Sequence, residues 1–530
     1  MNAAEEVEFR ALARQRPMND VIDRGDSPVQ LFYKGATVFV TGGAGFLGKQ
    51  LIEKLFRACQ IKKLFVLLRP KKDKTIMDRL QFMLEDPVYD LLRKKQPQFE
   101  EKIFPINGDV SKIRLGISDE DWILLTHEVD IIFNAAATVR FDAPLRSATI
   151  TNVRGTREML AFAKECKNLK QFVHVSTAFS HANDERVGRE LLDQFYPCPL
   201  SPDVMIQLAE ELDQAKLNKI TPELLSGWPN TYTFTKAIGE EMVRRAGHGM
   251  PLCVVRPPVV VPSYYEPSPG WVDTSCIFST SGVMIGVGLG IIHVLHGNKD
   301  SRLHTEPVDL VNNAIIAAGW DSTNIRKNDD DDIPVYNIIN YDSYTTYDLI
   351  RDVMSNECRN YSSPKAVWYC FGVLVGNPLL YWLLALYYHY IPALIVDAIL
   401  AVIPVKPKEI PPLFKIFQKM DKLASKHNYF VFRHWIFKDH NVRAMLGRMS
   451  SADKAIFNCD LTTVNPRELI KVWTLGLRKF IVKEGTEHCE EGKKKQDILH
   501  VVHYVATALY LYALWSIFSF FWRFIMSIFF

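Results

Sequence analysis

Cysteine pairs are absent from this chain despite its length. Its nine cysteines are scattered over 530 residues, contain no C-x-x-C pair and leave one over after pairing. This distribution fits neither a disulfide framework nor a cysteine-based zinc site. The 14 histidines add no cluster at metal-ligand spacing. The sequence therefore predicts reduced thiols in a cytosol-facing protein, with no resident metal.

The chain also has a low net charge and no apolar run at its N-terminus. The 63 Lys and Arg residues nearly balance 60 Asp and Glu residues, which leaves a formal charge of +3. Nucleic-acid-binding domains are strongly basic, so nucleic acid is not an expected partner. Residues 1–20 mix charges, and no secretory signal peptide is predicted. The chain is nevertheless 48% hydrophobic, enough for a large core and two or three structural units.

Short apolar segments recur in the first half of the chain, separated by stretches long enough for helices. Their apolar residues are continuous rather than alternating, which indicates burial on both faces of a parallel sheet. We predict an α/β protein with a Rossmann-type, doubly wound parallel sheet, a helical C-terminal region and a C-terminal membrane segment. The predicted strands are Ala36–Val40, Lys63–Leu68, Lys102–Gly108, Asp130–Ala136, Gln171–Ser176 and Leu252–Pro257.

A glycine-rich loop, TGGAGFLG, joins the first predicted strand to a helix predicted over Lys49–Arg57. The loop satisfies both G-x-x-G-x-x-G, starting at Gly42, and G-x-G-x-x-G, starting at Gly43, and the spacing leaves both open. In either pattern the glycines let backbone amides approach a pyrophosphate, and the helix points the positive end of its dipole at it. We therefore predict a dinucleotide site. The contacts expected in this loop are Gly42, Gly45, Phe46, Leu47 and Gly48.

The end of the second strand predicts which dinucleotide is bound. An NAD site normally presents Asp or Glu to the ribose 2′-hydroxyl here, whereas this strand ends LLRPKK. Arg69, with Lys71 and Lys72 nearby, could neutralise a 2′-phosphate through charge-assisted hydrogen bonds. NADPH is therefore preferred over NADH, the alternative being that these cations belong to an ordinary surface loop. Further predicted cofactor contacts after later strands are Asp109, Val110, Asn134, Ala135, Ala136, Pro257 and Pro258.

The stretch NTYTFTKA places Tyr232 and Lys236 four residues apart on one face of a predicted helix. Hydride transfer to a carbonyl leaves an alkoxide that needs a proton, and Tyr232 is the predicted donor. The Lys236 ammonium and the cofactor's positive ring are expected to lower the pKa of this phenol. The fifth strand ends with two hydroxyls. We prefer Thr177 for holding the substrate oxygen, with Ser176 as the alternative.

Two apolar tracts occupy the second half of the chain. Tyr504 to Trp522 contains no charged residue and nearly spans a hydrocarbon core, which favours a C-terminal membrane anchor over a buried terminal helix. The second tract, Ala366–Val405, could span, re-enter, lie in the membrane interface or belong to the core. We favour membrane association without two clean spans, because Pro378 and Pro392 are expected to interrupt it.

These residues resemble those of extended short-chain dehydrogenases/reductases, and within them the eukaryotic fatty acyl-CoA reductases. GWPNTYTFTKA (Gly227–Ala237) is the most specific stretch, because sugar-nucleotide epimerases share only its Tyr and Lys. The likeness covers nearly the whole chain. It also rests on TGGAGFLG, LLRPK, NAAATVRFD, HVSTAF, VVRPPVV, EPSPGWVD and EPVDLVNNAIIAAGW.

The resemblance implies that NADPH reduces a long-chain fatty acyl-CoA to a fatty alcohol through a bound aldehyde, with release of CoA. It implies Tyr232 as proton donor, Lys236 as ribose ligand and Thr177 as the group that positions the oxygen. A membrane-anchored steroid or sterol dehydrogenase and a catalytically idle NADPH-binding scaffold are the alternatives. The endoplasmic reticulum is the expected membrane, with the catalytic domain facing the cytosol, and the peroxisomal membrane is the alternative.

The expected division of the chain follows these features. It comprises an N-terminal extension (1–33), an NADP-binding domain that includes the substrate-binding part (34–345), a linker with the apolar membrane-associated tract (346–405), a helical C-terminal reductase domain (406–497) and a transmembrane anchor (498–530).

Overall fold

The computed structural model of the protein describes residues 2–71, 73–275, 280–325, 332–342, 344–402 and 412–529. Parallel strands form a central seven-stranded sheet in the order β7-β6-β5-β4-β1-β2-β3, which is a doubly wound arrangement. The strands are β1 (Thr37–Thr41), β2 (Lys63–Leu68), β3 (Ile103–Asn107), β4 (Ile131–Asn134), β5 (Gln171–Val175), β6 (Leu252–Arg256) and β7 (Val335–Asn337).

Helices precede, separate and follow these strands. They are α1 (Ala3–Ala13), α2 (Gln15–Arg24), α3 (Pro28–Tyr33), α4 (Phe46–Cys59), α5 (Ile76–Leu84), α6 (Asp90–Lys95), α7 (Asp119–Glu128), α8 (Leu145–Thr149), α9 (Gly155–Glu165), α10 (Pro202–Glu211), α11 (Gln214–Leu225), α12 (Thr231–Ala246), α13 (Thr280–Gly288), α14 (Val308–Ile325), α15 (Tyr347–Asp352), α16 (Pro378–Ala385), α17 (Ile391–Val402), α18 (Leu413–Val431), α19 (His440–Arg448), α20 (Ser451–Ile456), α21 (Pro466–Gly476) and α22 (Cys489–Phe529). Short strand pairs outside the sheet are Val259–Val261 with Thr305–Pro307, Arg302–Leu303 with Thr345–Thr346, Val294–His296 with Val373–Val375, and Glu190–Leu191 with Ile436–Phe437.

The sheet is buried on both faces, as its continuous apolar strands predict. Val38 and Val40 of β1 lie in one hydrophobic cluster with residues of α4 and α14. Phe39, between them, lies in the opposite cluster with residues of α7, α9 and α12. Successive strand residues point to opposite faces, so each face needs its own helical layer. This places the sheet between two helical layers and leaves its carboxyl edge for a site.

All six predicted strands are present, with ends within two residues of the prediction. The largest difference is in β4, which ends at Asn134 rather than Ala136, because the amide of Ala136 donates to the Thr41 side chain. Strand β7 is missing from the sequence prediction. It has only three residues and forms the sheet edge by pairing Tyr336 with Val255 of β6.

Charged side chains of α4 are fully buried in a compensated cluster. Lys54 Nζ lies 2.7 Å from Glu266 Oε2, and Arg57 bonds both Glu266 and Glu53. Lys54 also donates to the carbonyl of Ile456, at the end of α20. Opposite charges and hydrogen bonds offset the cost of removing these groups from water. The cluster fixes α4, the helix after the glycine loop, against the C-terminal helical region.

Residues Pro378–Val402 of the apolar tract form one continuous helical segment. The first part of the tract contains the short strand Val373–Val375, and residues 403–405 lie outside the described residues. Asn377 caps its start by accepting a hydrogen bond from the amide of Leu380 at 3.0 Å. The expected interruption at Pro392 is wrong: a π turn over Leu386–Tyr390 precedes it, and such local adjustments accommodate the missing proline amide. The tail forms helix α22. Pro378–Val402 and Cys489–Ser527 are both long and apolar enough to cross a membrane.

Candidate active site

The glycine loop is a tight cradle between β1 and α4. Gly42 has a φ of 75°, and a Cβ at this position would lie 2.8 Å from the amide nitrogen of Ala136. A Cβ on Gly48 would lie 2.3 Å from the carbonyl oxygen of Gly42. Gly45 is exposed and caps α4 without a side-chain hydrogen bond. The first amides of α4 therefore face outward at the positive end of the helix, an arrangement suited to an anionic group.

The predicted loop residues Phe46 and Leu47 open α4. The Phe46 ring centroid lies 5.2 Å from that of Trp271, and the Leu47 carbonyl accepts a hydrogen bond from Asn312. Both contacts join the loop to residues more than 200 positions further along the chain. They fix the backbone of this first turn while its amides remain available.

Arg69 stands at the end of β2 with an exposed side chain. Its Nε lies 3.9 Å from Oδ2 of Asp109, which follows β3, so these two predicted residues are neighbours. Arg79 of α5 donates to the Arg69 carbonyl, and the nearby Arg69 charge helps burial to lower the pKa of Arg79. Arg79 is not among the predicted cofactor contacts. Lys71 is exposed, and the third predicted cation, Lys72, lies outside the described residues.

The end of β4 forms the floor of the cleft. Asn134 accepts a hydrogen bond of 2.9 Å from the Thr41 hydroxyl and contacts Nδ1 of His174 at 3.2 Å. Ala135 and Ala136 follow it and are half-buried. Small side chains at this point leave the cleft open beside the glycine loop.

Val110 and the two predicted prolines border the cleft from other strands. A Cβ on Gly155, the first residue of α9, would lie 2.7 Å from the carbonyl oxygen of Val110, which follows β3. Helix α9 therefore packs closely against the backbone at Val110. Pro257 and Pro258 follow β6 and are buried, and the Pro257 carbonyl accepts from the amide of Ala178. The structure thus brings the ends of β1 to β6 together at one edge.

Tyr232 lies in the first turn of α12, beside the end of β5. Asn230 caps this helix by accepting from the amide of Thr233 at 2.9 Å. Thr177 lies beside the Tyr232 hydroxyl, and its effect on the pKa of this phenol opposes the larger effect of burial. Thr177 itself is buried, whereas Tyr232 is half-buried. The predicted proton donor, Tyr232, and the residue preferred for holding the substrate oxygen, Thr177, are therefore adjacent.

Lys236, one turn further along α12, reaches the same strand end. Its Nζ donates to the carbonyl of Val175 at 2.9 Å. Burial lowers the pKa of Lys236 to about 8, while Glu240 opposes this shift. The expectation that the pKa of Tyr232 is lowered is wrong for the protein groups alone, because burial raises it to about 12. Tyr232 is consequently fully protonated at neutral pH.

Ser176, the alternative to Thr177, is engaged elsewhere. Its hydroxyl donates to Oε1 of Glu240, which also accepts from Ser180 at 2.9 Å. Arg256 and His181 bind the other carboxylate oxygen, at 2.7 and 3.1 Å. These charges and hydrogen bonds hold the pKa of Glu240 well below its usual value despite burial. Sequence reasoning missed this buried carboxylate, although it stands one turn after Lys236 on the same helix face.

The C-terminal region covers the cleft above Tyr232. The ring of Phe141 stacks on that of Tyr232, with centroids 5.9 Å apart and planes 19° from parallel. Phe141 in turn contacts His427 and Phe430 of α18, at centroid distances of 5.0 and 5.7 Å. Phe430 also packs edge-on against Phe179, which follows Thr177 by two residues. Helix α18 therefore supplies an aromatic wall that the sequence analysis did not assign to the site.

No group of three His, Cys, Asp or Glu residues is placed to hold a metal ion within the part of the chain that the structure describes. The eight cysteines described there are free, and Cys276 lies outside the described residues.

The doubly wound sheet, glycine cradle and Tyr-Lys pair define a Rossmann-type oxidoreductase. The fold is shared with two solved structures. The terminal R domain of the myxalamid PKS-NRPS pathway is 20% identical with a TM-score of 0.54, covering 86% of this chain and 93% of that chain. The reductase domain of a non-ribosomal peptide synthetase from Mycobacterium tuberculosis is 19% identical with a TM-score of 0.53, covering 90% and 98%.

Sequence comparisons identify the family. Two family profiles described as male sterility protein match residues 40–315, as an NAD-binding domain, and residues 388–484. The chain is 36% identical over 507 residues to fatty acyl-CoA reductase wat of Drosophila melanogaster, covering 95% of each. It is 32% identical to human fatty acyl-CoA reductase 1 and 31% identical to human fatty acyl-CoA reductase 2, covering 92% of this chain and 92% and 93% of those proteins. The chain belongs to the fatty acyl-CoA reductase family and is an enzyme of the oxidoreductase class.

Proposed function

We propose that this protein reduces a long-chain fatty acyl-CoA to a fatty alcohol, with NADPH as the reductant and an aldehyde held between two reduction steps. The observation that carries the proposal is the placement of Tyr232 one helical turn before Lys236, whose Nζ reaches the end of β5 beside Thr177, at the sheet edge that also bears the glycine loop. The relatives' names support the substrate class. The aromatic wall of α18 supports an apolar substrate.

The cleft fits a nicotinamide dinucleotide. The glycine loop leaves a cradle that side chains would fill, and the amides at the start of α4 suit a pyrophosphate. Gly45 would approach the phosphates, and Arg69 would meet a 2′-phosphate. Asp109 and Val110 would border the adenine, while Asn134, Ala135, Ala136, Pro257 and Pro258 would line the remainder of the cofactor. When bound, NADPH supplies hydride to the substrate carbonyl carbon.

The protein side chains stabilise the substrate oxygen and supply its proton. In the first reduction, Thr177 and Tyr232 would stabilise the oxygen of a hemithioacetal, which collapses by breaking the carbon–sulfur bond and releasing the CoA thiolate. In the second, Tyr232 would give its proton to the alkoxide that forms from the aldehyde. A pKa of about 12 suits this role, because the phenol stays protonated until the alkoxide forms. Lys236 would hold the ribose and help return a proton to Tyr232.

The direct test is reduction of palmitoyl-CoA by the purified full-length protein in lipid nanodiscs. We expect hexadecanol by gas chromatography, with two NADPH consumed for each CoA thiol released. A hydroxysteroid is assayed in parallel, because its turnover in place of palmitoyl-CoA would indicate a steroid dehydrogenase instead. Turnover of neither substrate, together with tight NADPH binding, would favour the idle scaffold and contradict the proposal.

We expect Arg69→Ala to weaken the preference for NADPH over NADH. If Arg69 binds the 2′-phosphate, its loss removes charge-assisted hydrogen bonds worth about 1.5–3 kcal/mol, or roughly 10- to 100-fold in kcat/KM for NADPH. The value for NADH, which lacks this phosphate, should stay unchanged. Steady-state kinetics with both cofactors measures the ratio. Arg114→Ala is the control, because Arg114 is an exposed arginine paired with Asp119.

We propose further that the protein is a membrane protein, with α22 as its anchor and the Pro378–Val402 helix at the same membrane surface. Side chains of both elements are exposed apolar groups, including Leu383 at 56% and Leu509 at 65%. The two elements meet where the rings of Tyr387 and Tyr510 lie 4.7 Å apart. The lysines at 493–495 would flank the membrane on the cytosolic side. The endoplasmic reticulum is the preferred location, and the peroxisomal membrane is the alternative.

We expect Leu509→Asp combined with Ile517→Asp to release the protein from membranes. Both side chains are exposed in the apolar part of α22, and each aspartate near a helix centre costs about 2.5–3.5 kcal/mol in membrane insertion. Most of the full-length variant should move to the supernatant after alkaline carbonate extraction. Phe82→Asp with Ile113→Asp is the matched control, because those apolar side chains are at least as exposed and lie outside α22. Retention of the α22 variant in the pellet would refute α22 as the anchor.

A further inference from the structure

Helix α18 carries a row of lysines on one face. Lys415, Lys419, Lys422 and Lys426 are spaced by four, three and four residues, so they follow one another along the same side of the helix. The first three are exposed. The row extends over about three turns, or about 16 Å. We call these four residues the lysine row.

One end of the lysine row lies at the candidate active site. Lys426 Nζ donates to Oδ2 of Asp142 at 2.9 Å. The next residue, His427, packs its ring on Phe141, which stacks on Tyr232. The row therefore starts at the opening above Tyr232 and leads away from it along the protein surface.

The other faces of α18 are already occupied. Phe414 and Phe417 pack on Tyr390 and His389 of the apolar segment before it. Asp421, the acidic residue of α18, accepts hydrogen bonds from the hydroxyls of Tyr381 and Tyr390. This carboxylate is held against the apolar segment. The lysine row is thus on the outward face of α18.

The substrate of the proposed function supplies the matching charge. The CoA part of an acyl-CoA carries a pyrophosphate and a ribose phosphate, joined to the thioester by a flexible arm. We infer that Lys415, Lys419 and Lys422 bind the phosphates of CoA and hold it along α18 while the thioester reaches Tyr232. This inference rests on the proposed function. Lysine suits the role because it binds phosphate as a mobile point charge.

The test uses the two substrates of the two proposed reduction steps, of which only the first carries CoA. In the full-length enzyme with K415Q, K419Q and K422Q combined, we expect KM for palmitoyl-CoA to rise about 10- to 100-fold, because three positive charges beside the CoA phosphates are lost. Kinetic constants for reduction of hexadecanal should not change. Rising salt should raise KM for palmitoyl-CoA in the wild type and much less in the variant.

A matched variant controls for net charge. K62Q, K94Q and K164Q together remove the same charge from exposed positions outside α18 and should leave both substrates unaffected. Replacement of the three α18 lysines by arginine should retain a low KM. An unchanged KM for palmitoyl-CoA in the glutamine variant overturns the inference while the proposed function stands.

Anionic lipid is the competing partner for such a row. In that case the glutamine variant would lose activity towards palmitoyl-CoA and hexadecanal equally, and only in nanodiscs that contain phosphatidylserine. That result would overturn the assignment to CoA. A wild-type enzyme that reduces neither substrate would overturn the proposed function, and this inference with it.

Discussion

Replacing Tyr232 by Phe is expected to abolish alcohol formation while leaving NADPH binding intact. Loss of a positioned general acid typically lowers the rate about 10²- to 10⁴-fold. Here the effect should lie near the upper limit, because Thr177, the hydroxyl beside Tyr232, is an aliphatic alcohol and a weaker acid than a phenol. The substitution removes one oxygen atom and keeps the ring that stacks on Phe141. The fold and the aromatic wall should therefore remain.

The measurement has two parts: alcohol production from palmitoyl-CoA and hexadecanal, and NADPH affinity from nucleotide fluorescence. The matched control is Tyr429→Phe, since Tyr429 also lies on the covering helix α18 and donates to Asp184 at 2.9 Å. That variant should keep most of its activity. Undiminished turnover in the Tyr232 variant would remove Tyr232 from the reaction. Equal loss in both variants would point instead to a disturbed covering helix.

Much of the fold could be predicted because its signals are local. A buried strand is recognised from a few consecutive apolar residues, and the ends of β1 and β2 fall within one residue of the prediction. The loop between β1 and α4 needs glycines because its backbone segments touch, as the Gly42–Gly48 contact shows. The spacing of Tyr232 and Lys236 likewise reflects one helical turn. The comparisons confirm the family that these motifs indicate.

What could not be predicted depends on contacts between distant parts of the chain. Strand β7 has only three residues, and its extended conformation depends on hydrogen-bonded pairing with β6 at the sheet edge. The wall over Tyr232 joins Phe141 to Phe430, nearly 300 residues later, and no periodicity reports such a contact. The raised pKa of Tyr232 among the protein groups alone has the same origin. Sequence spacing predicts the position of Lys236, but burial, which raises this pKa, depends on the whole packing around the phenol.

Substitutions at two glycines of the glycine loop should impair NADPH binding for different reasons. Gly45 is exposed, and a Cβ there would meet only the Gly42 carbonyl oxygen, at 3.3 Å. Gly45→Ala should therefore fold normally. In both glycine patterns Gly45 is the residue whose backbone approaches the pyrophosphate. We expect NADPH affinity to fall about 100-fold, which corresponds to losing one or two charge-assisted hydrogen bonds of roughly 1.5–3 kcal/mol each.

Gly48→Ala should act through the fold itself. Its Cβ would lie 2.3 Å from the Gly42 carbonyl oxygen and 2.6 Å from the Cα of Gly43, and neither backbone atom can rotate away as a side chain would. The loop must separate from α4, so both thermal stability and NADPH binding should fall. Gly447→Ala in α19 is the control, because a Cβ there meets nothing within 4 Å.

Thermal melts with and without NADPH separate the two mechanisms. Gly45→Ala should keep the melting temperature of the free protein and lose the shift that NADPH produces. Gly48→Ala should lower both the melting temperature and the shift. A normal NADPH shift in the Gly45 variant would mean that the cofactor phosphates do not approach this loop.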